Sequence, residues 1–274
     1  MIYDCFTFRD ELDMLELRLK ILDPVVDKFV ICEADKTFTN QSKPYNFLDQ
    51  KDRFKRWIDK IIYLPVELDS EGLDFSKKDT EYNPYSAAWM LEMQQRSGLI
   101  LGLDNATDED TIMLGDVDEI PYPQDVKHVN TPTVCVNKFF YYYINNLSVG
   151  PRDRNWLGTA LLPYTHLKNF ANLEKVRGNR NYFQPIQSGW HLSFMGGKEL
   201  IKRKIQTISH TEYNNEKYYN DKNIDECLLL GKDVFQREGM NFQIVNPSSF
   251  YPEYVLEIFK DYPSWIYDTK RFNK

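Results

Sequence analysis

The chain has 274 residues, enough for a substantial core in one large α/β domain or two small ones, and its 42% hydrophobic content is ordinary for a globular protein. Its 34 Lys and Arg against 41 Asp and Glu leave a formal charge of −7, which speaks against nucleic acid or an anionic membrane as partner. An anionic substrate would therefore need a local basic pocket or a metal. No signal peptide opens the chain and no apolar run is long enough to span a bilayer, so a soluble, cytoplasmic protein is expected. The four cysteines, Cys5, Cys32, Cys135 and Cys227, lie far apart without a CxxC pair, which argues against zinc and against a disulfide framework. Cys32 and Cys135, inside apolar runs, are expected to be buried thiols.

Ile2 to Phe8 alternates as a strand and gives way to an amphipathic helix over residues 9–22, with Leu12, Leu15, Leu19 and Leu22 at helical spacing and Asp23-Pro24 as its stop. Lys28 to Cys32 reads as a buried strand. A short helix around Phe54, Trp57 and Ile58 and a strand at Ile61–Leu64, stopped by Pro65, complete a second βα step. Strands alternating with helices predict a doubly wound, mostly parallel sheet flanked by helices. The absence of repeats and linkers favours a single domain over 1–274, with a nucleotide-binding part at about 1–121, an acceptor-side part at about 122–245 and a tail at 246–274. Glu33, Lys36 and Thr37 follow the second strand, where they are candidates for nucleotide contact or members of a solvated loop.

Residues 84–103 form the longest predicted helix, with Trp89, Met93, Arg96 and Ile100 on one face. A guanidinium in an apolar stripe is costly unless paired, so Arg96 either meets a carboxylate or leans towards a phosphate. The helix leads into Thr111-Ile112-Met113-Leu114-Gly115-Asp116-Val117-Asp118-Glu119-Ile120-Pro121, an apolar run ending in three carboxylates. A buried strand there would deliver Asp116 and Asp118 to a cleft edge, the place where open α/β sheets bind ligands. Oxygen-only ligands suit Mg²⁺ or Mn²⁺, which complete their shells with substrate phosphates. A solvated acidic turn is the bland alternative.

In the second half, Thr133 to Ile144 is strongly β-prone. Arg177 and Arg180, in a mixed, aromatic-rich stretch that includes Tyr182, could cover a diphosphate or form an irregular surface. Around Gly189–Gly197, Trp190, Leu192 and Phe194 should point one way, with His191 and Ser193 pointing the other. A helix carrying Ile201, Ile205 and Ile208 follows and ends near His210 and Glu212, and a capped helix runs from Asp221 to Gly231. Imidazole is a common metal ligand and a carboxylate a natural proton acceptor.

Taken in order, several of these segments resemble glycosyltransferase family 17, the family of the bisecting β-1,4-N-acetylglucosaminyltransferase and of smaller microbial and viral members. They are Ile2–Phe8, Glu11–Leu19, Val25–Ala34, Lys36–Thr39, Gln95-Arg96, Gly115–Pro121, Gly189-Trp190-His191 and His210-Thr211-Glu212. The resemblance implies a GT-A-like fold, a UDP-sugar donor such as UDP-N-acetylglucosamine, a glycan acceptor, Mn²⁺ or Mg²⁺, and inversion at the anomeric carbon. It makes Asp116 and Asp118 the metal and diphosphate residues and His191 and His210 candidate metal ligands or phosphate contacts. Inversion by one displacement needs one general base, for which Glu212 is the first candidate and Glu119 the second. The chain lacks the bisecting enzyme's membrane anchor, so its acceptor would be a microbial or viral glycan, met in a microbial or host cytoplasm. The rival readings are a metal-dependent phosphodiesterase or nucleotidyltransferase, and a non-catalytic module holding glycans on aromatics such as Tyr182 and Trp190.

Overall fold

The computed structural model describes residues 1–77, 79–152, 155–168 and 173–268. Its elements run β1 (Ile2–Phe8), α1 (Leu12–Leu22), β2 (Lys28–Ala34), α2 (Asn46–Asp49), β3 (Ile61–Val66), α3 (Ala87–Gly98), β4 (Thr111–Asp116) and β5 (Glu119–Ile120). The second half continues with β6 (Thr133–Tyr141), β7 (Asn146–Ser148), β8 (Asn155–Pro163), α4 (Tyr164–Leu167), α5 (Leu173–Gly178) and β9 (Gln184–Ser193). Then come α6 (Lys198–Thr207), α7 (Glu216–Tyr219), α8 (Asp221–Leu230), β10 (Phe242–Ile244) and α9 (Glu253–Phe259).

Among the described residues ten strands join one sheet whose main path is β10-β7-β6-β8-β4-β1-β2-β3, with β9 pairing β6 and β5. β4, β1, β2 and β3 are parallel, as the βα alternation predicts. β8 turns antiparallel against β4, and β6 and β9 run parallel beyond it. This mixed α/β sheet with flanking helices confirms the expected fold class.

Strand alternation splits the core in two. Phe6 and Phe8 of β1 and Phe29 and Ile31 of β2 face α1, whose Leu15, Leu19 and Leu22 are fully buried. Tyr3, Cys5, Val30 and Cys32 face the other way, towards Leu99 and Leu103. The four cysteines are free and buried, and burial pushes the Cys32 and Cys135 thiols up to about 12. A third cluster joins Phe139 and Tyr141 of β6 to Ile201, Ile205 and Ile224. The tail seals the α1 face: Tyr251 stacks on Trp190 and donates its hydroxyl to the Ile144 carbonyl.

Several predicted boundaries shift. The 84–103 helix is α-helical only over α3 and then tightens to a 3-10 turn at Leu99–Leu103, which leaves Ile100 exposed. The Thr133–Ile144 strand stops at Tyr141, because Tyr142 takes a left-handed φ of 64°. Phe194 breaks the expected alternation for the same reason. At φ 58° its ring leaves the Trp190 and Leu192 face and joins the Phe139 cluster.

Candidate functional site

β4 carries its acidic pair to the carboxyl edge of the parallel strands, where Asp116 lies abreast of Thr7 on β1. Ile112, Met113 and Leu114 are buried and fix the strand. Gly115 has to be glycine: a Cβ there would overlap the Thr159 hydroxyl and come within 3.2 Å of Glu119 Oε2. The following turn is pinned from beneath by Arg18 of α1, which is fully buried and forks onto Asp4 at 2.8 and 2.6 Å. Its Nη1 donates to the carbonyls of Asp116 at 3.1 Å and Glu119 at 2.7 Å. Three directions of hydrogen bonding from one guanidinium give the acidic turn a fixed shape.

Glu119 completes that support rather than lining the cavity. Its side chain is fully buried; Oε1 accepts the Trp156 indole N–H at 2.6 Å and Oε2 accepts the Asp116 backbone N–H at 3.1 Å. This corrects its expected place as second candidate base, since both oxygens are committed inside the fold. Arg180 stands behind it, 3.5 Å from Glu119 Oε1 and bonded to the Gly158 carbonyl at 2.9 Å. Burial, then the charge of Arg177, brings the Arg180 guanidinium down to about 10.

The acidic pair faces a cleft of about 520 Å³. Asp116 is held between two guanidinium groups, Arg96 Nη1 on Oδ1 at 3.0 Å and Arg177 Nη1 on Oδ2 at 2.8 Å. Burial would raise the Asp116 carboxyl, but Arg177 and Arg96 outweigh it and hold the group well below the usual carboxylate range. Asp118 Oδ2 meets Lys204 Nζ at 2.9 Å, and Oδ1 lies 3.6 Å from His191 Nε2. Burial again opposes ionisation and loses, here to Lys204 and His191. Arg96 is buried, as its place in an apolar stripe implied, and also pairs Glu92 at 2.7 Å and Glu174 at 2.8 Å.

Four buried polar atoms of residues lining this cleft have no partner: Trp89 Nε1, the Tyr141 hydroxyl, His191 Nδ1 and Glu212 Oε2. His191 packs against both Phe139 and Trp156, with centroids 4.7 and 4.4 Å away, and these two rings also stack on each other at 5.8 Å. Glu212, its side chain 8% exposed, gives Oε1 to His210 Nδ1 at 2.7 Å and leaves Oε2 unbonded. His210 sits edge-on to Trp89, centroids 5.0 Å apart. A buried polar atom without a partner is costly, so each marks a place where a ligand can supply the missing hydrogen bond.

Of the residues expected from sequence, Arg96, Asp116, Asp118, Arg177, His191, His210 and Glu212 share the cleft. Glu33, Lys36 and Thr37 do not. Glu33 is fully buried and accepts from the backbone N–H groups of Asn46 and Phe47 at 2.7 and 3.0 Å, so it caps α2. Lys36 donates to the Leu68 carbonyl at 2.7 Å and Thr37 Oγ1 accepts from Gln41 at 3.1 Å. Tyr182 is exposed away from the cleft, and Trp190 is buried in the core. Arg9, Arg18 and Lys204 are in the cleft or its support without being among the residues expected from sequence. Two of them carried a signal: Arg18 sits at helical spacing among Leu15, Leu19 and Leu22, and Lys204 lies three residues from Ile201 and four from Ile208.

Among the described residues no group of three or more His, Cys, Asp or Glu could hold a metal ion, so Asp116, Asp118, His191 and His210 are not gathered as one ligand set. Asp116 has both oxygens on guanidinium groups. Asp118 Oδ1, beyond hydrogen-bonding reach of His191 at 3.6 Å, remains open. A single open carboxylate oxygen could serve a hard cation only if substrate phosphates and water supplied most of its shell.

A charged, partly aromatic cleft at the carboxyl edge of a mixed α/β sheet defines a ligand-binding α/β protein. The chain belongs to glycosyltransferase family 17, whose family model matches residues 1–244, and it is therefore a glycosyltransferase. No curated protein matches it significantly. Among solved structures, a UDP-glucose pyrophosphorylase complexed with UDP-glucose aligns at 8% identity and a TM-score of 0.32, covering 69% of this chain and 92% of that one. Among the described residues no helix is long and apolar enough to cross a membrane.

Proposed function

We propose that the protein transfers N-acetylglucosamine from UDP-N-acetylglucosamine to a hydroxyl of a glycan acceptor, with inversion and with the help of Mn²⁺ or Mg²⁺, in the cytoplasm. The observation that carries this reading is the unpartnered Oε2 of the buried Glu212, in the same cleft as a carboxylate pair ringed by Arg96, Arg177 and Lys204. The cationic side chains suit a diphosphate, and the free carboxylate oxygen suits the proton of an attacking hydroxyl.

In a single displacement the acceptor oxygen bonds to the anomeric carbon from the face opposite the nucleotide. The bond from that carbon to the diphosphate oxygen breaks with its electron pair leaving on UDP, and the acceptor proton passes to Glu212 Oε2. Arg96, Arg177 and Lys204 are fixed before the reaction and favour negative charge as it grows on the leaving diphosphate. Asp118, through its open Oδ1, with Asp116 beside it, would hold the cation. A bound divalent ion supplies additional positive charge to the leaving group. The ring of His191, packed against Phe139 and Trp156, offers Nδ1 to a hydroxyl or amide of the sugar.

The test is a thermal-shift screen of nucleotide sugars with and without Mn²⁺, followed by product analysis with and without a glycan acceptor. UDP-N-acetylglucosamine with Mn²⁺ is expected to raise the apparent stability most, by mass action. Stabilisation by no UDP-sugar, or release of the sugar as a free hydrolysis product whatever acceptor is present, would overturn the proposal.

A further inference from the structure

A second cavity, of about 240 Å³, lies directly behind the cleft. The two share Arg9, Glu11, Asp118, Phe194 and Lys204, so the ion pair between Asp118 and Lys204 forms part of the wall between them. Lys204 is further held over the Phe194 ring, 5.1 Å from its centroid. Half of its lining is apolar, with Met14, Leu192, Met195 and Trp265 buried and Leu12 and Leu200 partly so, and the other half is charged.

The charged side chains of the lining are already used on one another. Arg9 Nε meets Asp10 Oδ1 at 2.6 Å, Arg9 Nη2 meets Glu11 Oε1 at 3.3 Å, and Arg53 Nη2 meets Asp13 Oδ1 at 2.6 Å. None of the unpartnered buried polar atoms among the described residues belongs to this chamber, whereas His191 Nδ1 and Glu212 Oε2 both belong to the cleft. A sugar ring entering the chamber would therefore lose its water and gain few hydrogen bonds. An alkyl or aryl group loses nothing polar on entry.

We infer that the chamber is the acceptor's aglycone site: it takes an apolar group joined to the acceptor sugar, while that sugar's hydroxyls stay in the cleft beyond the pair formed by Asp118 and Lys204. The inference rests on the transferase reading for the word acceptor, and on the chamber alone for the preference for an apolar group. The natural acceptor would then be a glycoside of an apolar alcohol or a lipid-linked sugar, selected by its tail before its hydroxyl reaches the donor.

The probes are methyl and octyl β-glucoside, the latter below its micelle concentration, titrated by calorimetry against the full chain with and without UDP. The octyl glycoside is expected to bind at least tenfold more tightly than the methyl one. Leu200→Trp, which fills the chamber from a partly exposed wall, is expected to remove that difference and leave UDP binding unchanged, and Leu12→Trp on another wall is expected to do the same. Equal binding of the two glycosides by the wild-type chain, or an octyl preference that survives in both variants when each unfolds as cooperatively as wild type, would overturn the inference. Failure of the wild-type chain to bind UDP would instead strike the transferase reading, with the octyl preference still measurable on its own.

Discussion

The indole N–H of Trp156 lies 2.6 Å from Glu119 Oε1, joining β8 to β5 just past the acidic turn. With the Asp116 backbone N–H on its other oxygen at 3.1 Å, Glu119 is a tie between strands. Removing a buried, doubly bonded carboxylate leaves its donors unsatisfied and the nearby Arg177 and Arg180 short of a counter-charge. Glu119→Ala is therefore expected to lower unfolding free energy by about 3 kcal/mol in urea titration. A variant as stable as wild type with transfer abolished would restore Glu119 to the reaction itself.

Arg18 is a stricter case of the same kind. Fully buried on Asp4, it also donates to the Asp116 and Glu119 carbonyls, so one side chain secures both β1 and the acidic turn. Arg18→Met keeps much of the volume but strands the Asp4 carboxylate, and a loss of about 3–5 kcal/mol is expected. The double variant Arg18→Met with Asp4→Leu is expected to recover much of that loss, because the orphaned charge is gone. A double variant no more stable than Arg18→Met alone would show that the contacts to the turn, and not the buried charge, dominate.

How far the sequence discloses this arrangement depends on whether the signal is local. The apolar run at 112–114 followed by Gly115 and two aspartates defines β4 and its edge, because burial on both faces and a carboxyl terminus leave a clear hydropathy step. Arg96 is legible for a similar reason, as a charge inside an apolar helical stripe. Glu33 and Glu119 mislead because a glutamate after a strand looks the same in sequence whether it faces a cleft or folds back to accept backbone N–H groups. Their commitment depends on Asn46, Phe47, Trp156 and Arg180, which lie 13 to 61 residues further along the chain. The antiparallel turn of the sheet at β8 was equally hidden, since strand direction is set by partners distant in sequence. His210 and Glu212 were identified as a pair, but their order of contact, imidazole to one oxygen with the other left open, is visible only in three dimensions.

The acidic pair sets a pH dependence. Asp118 is held well below its ordinary carboxylate range in the folded protein: burial opposes this, and Lys204 and His191 prevail. A folded-state pKa below the unfolded one means that the unfolded chain binds more protons as pH falls. The resulting stability is fully present above about pH 4, the unfolded aspartate range, and drains away as pH falls further towards the folded value. Asp118→Asn is expected to flatten the fall in urea midpoint below about pH 4 relative to wild type. Identical acid profiles for the two proteins would show that the pair with Lys204 contributes nothing to folding.

Asp118→Ala is expected to abolish transfer while the protein stays folded, because the residue sits at the cleft wall and not in a strand-to-strand tie. The variant leaves Lys204 without its carboxylate at 2.9 Å, so some stability loss accompanies it, about 1–3 kcal/mol for a partly exposed ammonium left short of a hydrogen bond. Asp118→Asn separates charge from shape: it keeps an oxygen for Lys204 and loses the charge that would hold a cation. If the cation belongs at the open Oδ1, UDP affinity in the Asn variant is expected to become indifferent to Mn²⁺, while UDP alone still binds through Arg96 and Arg177. Calorimetric titration of UDP with and without Mn²⁺ reads both. A full Mn²⁺ response in Asp118→Asn, together with normal turnover in Asp118→Ala, would remove Asp118 from the reaction and leave it only as the partner of Lys204.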